Sequence, residues 1–163
     1  MTNDVDSKLD DIFNSRAERL AAAAHAQQEK EMQQDATVVE FLALKESLIR
    51  PTLEALAQKL SDKGQESKIF EVQDGERGSG SVQDAKIGIR FLLDERANYA
   101  RGNEYPHLTL SLDKASRKVQ FYKSTMTPSR GGMAGGDGSV DLGSLTEQLI
   151  NQKALSVIGE VYK

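Results

Sequence analysis

A chain of 163 residues with 38% hydrophobic and 28% charged side chains can bury one core, yet is lean enough to leave some apolar faces needing outside cover. Its formal net charge of −4 disfavours nucleic-acid binding over the surface as a whole, and the lack of cysteine excludes disulfides, thiolate metal sites and thiol nucleophiles. No stretch reaches the roughly 20 apolar residues of a membrane span, and the acidic start Met1–Asp6 is unlike a secretory signal, so a cytoplasmic protein with no membrane contact is expected.

Charge is uneven along the chain. Lys and Arg against Asp and Glu number 8 to 13 over residues 1–66, 10 to 8 over 67–126 and 3 to 4 over 127–163. The beginning is therefore acidic and the middle mildly basic.

From Asp6 to Gln34 strong helix formers dominate. Val5, Leu9, Ile12, Phe13 and Leu20 recur at helical spacing and form one stripe, after which only alanines and Met32 are apolar until Val38. A helix of about 28 residues is roughly 42 Å long, and only its first half has an adhesive face. Asp35 to Lys63 predicts a second helix, with Val38, Phe41, Leu42, Leu48, Ile49, Leu53, Leu56 and Leu60 on a broad apolar side. Pro51 within it removes a hydrogen bond and clashes with the preceding turn, so a kink near Ser47–Pro51 is expected. Gly64 suits the end.

The period then changes to two. Lys68–Val72, Lys86–Leu93, His107–Asp113 and Lys118–Met126 predict four antiparallel strands with one buried face. Ile87, Ile89, Phe91, Leu93, Leu108, Leu110, Leu112, Val119 and Phe121 point inward. The wetted face then carries Lys86, Gly88, Arg90, Leu92, His107, Thr109, Ser111, Lys118, Gln120, Tyr122 and Ser124. Residues 127–140 are glycine-rich and predict a flexible linker. A last helix is expected to start from a Ser144/Glu147 capping box and pack on the sheet through Leu145, Leu149, Val157, Ile158 and Val161. The expected fold is α+β: two N-terminal helices, the second kinked near Pro51, a four-stranded antiparallel sheet and a C-terminal helix. Residues 1–34 form a helical arm and 35–163 the α+β domain.

Chemistry-bearing motifs are missing. In Ser129–Ser139 the position after the last clustered glycine pair is Asp137, where a triphosphate loop needs lysine, and its carboxylate would oppose a phosphate. His25 and His107 belong to no zinc-ligand grouping or nucleophile elbow. The pairs Asp10–Asp11 and Asp94–Glu95 read as solvated charge. Neither catalytic residues, nor a metal site, nor a cofactor is expected, and the balance leans away from an enzyme.

Three function classes follow in order. The first is an adaptor- or chaperone-like interaction module that binds a protein partner or a second copy of itself through Leu9, Ile12, Phe13 and Leu20. The second is single-stranded nucleic-acid or ligand binding on the wetted sheet face, through Arg90, His107, Lys118 and Tyr122 with Arg130, against the net charge. The third is a small-ligand pocket or enzyme under the loops 94–106 and 127–140, lined by Tyr99, Arg101, Tyr105 and Arg130.

Overall fold

Between Thr2 and Pro51 no glycine or proline interrupts the run of helix formers, and one helical stretch extends to Asp62 with a single irregular turn. The structure, a computed structural model, describes residues 2–78, 80–93, 105–127 and 131–163. Its elements are α1 (Thr2–Leu44), a π-helical turn (Lys45–Ile49), α2 (Arg50–Asp62), β1 (Glu66–Val72), β2 (Lys86–Leu92), β3 (His107–Asp113), β4 (Lys118–Ser124), β5 (Ala134–Asp141), a 3₁₀ turn (Leu142–Ser144) and α3 (Glu147–Val161). Contacts divide the chain into two compact units, Met1–Ala36 and Thr37–Lys163, and α1 carries residues of both. The separate second helix expected from Asp35 is not found, because nothing at Gln34–Ala36 stops the hydrogen-bond ladder.

The irregularity expected at Pro51 falls just before it. Proline offers no N–H to the carbonyl four residues back, and the helix widens instead: Arg50 N–H donates to the Lys45 carbonyl, five residues earlier. The Thr52 hydroxyl takes up the Leu48 carbonyl at 2.7 Å. The wide turn also corrects a phase error. Phe41, Lys45, Ile49 and Leu53 recur every four residues, a step that drifts by about 40° per repeat on a regular α-helix. One wide turn absorbs part of that drift, and all four side chains are buried.

The sheet is a meander in the order β1-β2-β3-β4-β5, every pair antiparallel. The fifth strand replaces much of the linker expected over 127–140. Ala134–Asp141 lacks apolar alternation because it is an edge, paired on one side only and mostly exposed. A bulge opposite Gln120–Tyr122 re-aims the strand. Asp137 thereby meets Lys153 at 3.5 Å and Lys123 at 3.8 Å.

One face of the sheet is dry. Ile87, Ile89, Phe91, Leu108, Leu110, Leu112, Val119 and Phe121 are fully or almost fully buried against Phe41, Ile49, Leu53, Leu56 and Leu60 and against Ile150, Ala154 and Val157 of α3. Each such side chain contributes about 1.5–3 kcal/mol on burial. The α3 cap differs from the expected Ser144 box. Ser144 closes the 3₁₀ turn, and Thr146 is the cap, its hydroxyl accepting the Leu149 N–H at 3.2 Å.

Candidate functional site

Period-two alternation that buries Ile87, Leu108 and Phe121 necessarily turns their neighbours to the opposite face. Register then sorts those neighbours into rungs. Phe70, Gly88, Thr109, Tyr122 and Gly136 lie side by side across all five strands. On one side runs Lys68, Arg90, His107, Ser124 and Ala134, and on the other Val72, Lys86, Ser111, Gln120 and Ser139. The middle rung has no side chain at Gly136, and a groove of about 450 Å3 lined by Phe70, Thr109, Tyr122 and Gly136 opens on this face.

Phe70 and Gly88 require each other. A methyl group at Gly88 would lie 2.5 Å from the Leu108 carbonyl oxygen and 2.7 Å from Phe70 Cζ, so the ring occupies the space a side chain would take. The Arg90 guanidinium sits over that ring, 4.0 Å from its centroid. His107 meets Phe70 edge-on at 6.1 Å and stacks offset on Tyr122 at 5.9 Å. Its Nδ1 is 3.1 Å from the Thr109 hydroxyl. Thr109 is buried at the centre, whereas Tyr122 remains 43% exposed.

The groove is electropositive. Burial lowers the pKa of Arg90, and burial followed by the charges of Arg90 and Lys86 holds His107 below the ordinary imidazole value. Neither Lys86 nor Arg90 has a carboxylate partner among the described residues. The shift favours the neutral imidazole, a hydrogen-bonding ring in a groove that Lys86 and Arg90 also line.

Arg90, His107 and Tyr122 are thus brought together. Lys118 is not with them: it lies exposed at the start of β4, in register with Asp113 and Asp141. Arg130, Tyr99 and Arg101 lie outside the described residues, as does most of the 94–106 loop, and Tyr105 is part-buried just before β3. Phe70 and Gly136 were not legible as site residues, although a glycine at position 88 inside an apolar strand signals close approach by a neighbour.

The arm stripe is a second open feature. Val5, Leu9, Ile12, Phe13 and Leu20 are each 44–59% exposed on α1. No helix among the described residues is long and apolar enough to cross a membrane, and those residues include no group of three or more His, Cys, Asp or Glu placed to hold a metal. No protein-family model, curated protein or solved structure matches the chain.

Proposed function

We propose that the chain is a non-enzymatic interaction module that self-associates through its N-terminal arm, two copies pairing antiparallel. The observation that carries this reading is the exposed stripe Val5, Leu9, Ile12, Phe13 and Leu20. A helix gains most of its stability from docking an amphipathic face, and this face is unspent. The occupant is argued from the sequence of the stripe. Arg16 lies at its centre, between Ile12 and Leu20. Parallel, in-register pairing would set Arg16 against its own counterpart and align Asp4, Asp6, Asp10 and Asp11 with theirs. A two-fold axis between Ile12 and Phe13 instead sets Val5 against Leu20, Ile12 against Phe13, and Leu9 against the aliphatic stem of Arg16. The Arg16 charge then falls beside Asp6 and Asp10, which flank Leu9. The cysteine-free composition suits a reducing compartment, and the reading places the protein in the cytoplasm.

The lack of native cysteine makes the test direct. Light scattering is expected to give twice the 17.9 kDa chain mass, and Phe13→Asp to halve it. In a mixture of Val5→Cys and Leu20→Cys proteins, a short thiol cross-linker is expected to join unlike chains in preference to like ones. A monomer at all accessible concentrations refutes self-association, and a preference for like chains refutes the antiparallel arrangement.

A further inference from the structure

We propose that the outer groove of the sheet holds one nucleotide unit, its base against Tyr122 above Gly136 and its phosphate among Lys86, Arg90 and His107. The site goes beyond the arm reading and uses none of its residues.

Charge gives the first argument. Five other cations with comparable or greater burial are each matched: Lys45 by Glu71, Arg50 by Glu46, Lys114 by Asp74, and Lys123 and Lys153 by Asp137, at 3.1–3.8 Å. Lys86 and Arg90 are part-buried and have no such partner among the described residues. In a chain of net charge −4 carboxylates are plentiful, so among the described residues the omission is local. Desolvating a cation without a counter-ion is unfavourable, and an arriving anion removes that cost. Both side chains line the same groove as His107.

Shape gives the second argument. Phe70 lies over Gly88 and carries Arg90 on its ring, which makes it a wall. Tyr122 has an open side, because its cross-strand neighbour is Gly136, where an added methyl group would meet nothing within 4 Å. The groove beside the ring is also lined by Thr109, Ser111 and Gln120, which supply hydroxyl and amide groups. One open ring and two cations lining the same groove match a ligand with one planar base and one phosphate group. A tract of stacked bases would need more rings than the face presents.

The unit has two chemical sources, a free nucleotide or one residue of a single strand, and the test separates them. The full chain is titrated calorimetrically at about 50 mM salt with 5′-AMP, with a single-stranded thymidylate oligomer and with inorganic phosphate. Saturable binding of 5′-AMP or the oligomer is expected, phosphate alone binding more weakly. Tyr122→Ala is expected to weaken binding by roughly 5- to 150-fold, and Arg90→Gln and Gly136→Val to weaken it as well. Gly136→Val suits the strand backbone and fills only the groove, so it reports on the site even where Arg90→Gln disturbs the fold. An oligomer that binds more tightly than 5′-AMP identifies the strand as source, and equal affinities identify the free nucleotide. The proposal is overturned by no binding of either probe, by phosphate binding as tightly as 5′-AMP, or by full affinity in folded Gly136→Val.

Discussion

The ion cluster at the wide turn predicts an asymmetry between two substitutions that remove the same pair. The Lys45 side chain is only 6% exposed, and its Nζ lies 3.1 Å from Glu71 but 3.9 Å from the mostly exposed Glu46. Glu71 is itself 34% exposed and is also held by Arg50. Glu71→Gln therefore strands a buried ammonium. Removing one partner of a buried pair costs about 3–5 kcal/mol. The exposure of Glu71 and the residual pull of Glu46 reduce this to about 2–3 kcal/mol. Lys45→Met removes the buried charge and leaves Glu71 with Arg50, so a change within about 1 kcal/mol is expected. Urea unfolding with an m-value of about 2 kcal/mol/M separates them, shifting the Glu71→Gln midpoint down by about 1–1.5 M. The side-chain hydrogen bond from Lys45 is the largest influence on the Glu71 carboxyl and, with both cations, outweighs burial and holds it below its ordinary 4.5. A depressed folded-state pKa contributes stability that is fully present above 4.5 and lost as pH falls through the folded value. The gap between wild type and Glu71→Gln must therefore shrink in acid below that point. Lys45→Met proving as costly as Glu71→Gln, or a gap that persists undiminished at low pH, refutes the reasoning.

The two groove glycines should respond oppositely. Gly88→Ala drives a methyl group into the Leu108 carbonyl and Phe70 and is expected to cost about 1–3 kcal/mol, while Gly136→Ala is neutral or stabilises by up to about 1 kcal/mol, both read from thermal melts. His107 is depressed by burial and by Arg90 and Lys86, so the unfolded chain takes up its proton first as pH falls through 6.5. Stability is expected to decline below that pH, less so in His107→Gln. At the α3 terminus, Thr146→Ala is expected to cost about 1 kcal/mol by chemical denaturation, and Ser144→Ala almost nothing.

Much of this architecture could be read from periodicity. Ile87, Ile89, Phe91, Leu108, Leu110, Leu112, Val119 and Phe121 alternate so cleanly that three strands, their buried face and the outward placement of Arg90, His107 and Tyr122 followed together. β5 was hidden because an edge strand made of Ala134–Asp141 is specified by its pairing partner rather than by its own side chains. Phe70 was hidden for a related reason. Whether it faces inward or outward depends on its register against Gly88, and register is a property of two strands. The wide turn left a trace in the four-residue step Phe41, Lys45, Ile49, Leu53, with a lysine inside an apolar stripe. Proline alone drew attention to the neighbourhood and suggested a kink instead. Asp137, read as an opponent of phosphate, turns out to serve Lys123 and Lys153.

Strand order along the sheet is identical to order along the chain. Every ladder consequently pairs strands that are neighbours in the chain, so distant segments need not be brought together first and chain-closure entropy stays small at each step. Assembly is expected to be rapid for a sheet protein, the hairpin at Lys114–Arg117 closing early and the edges joining last.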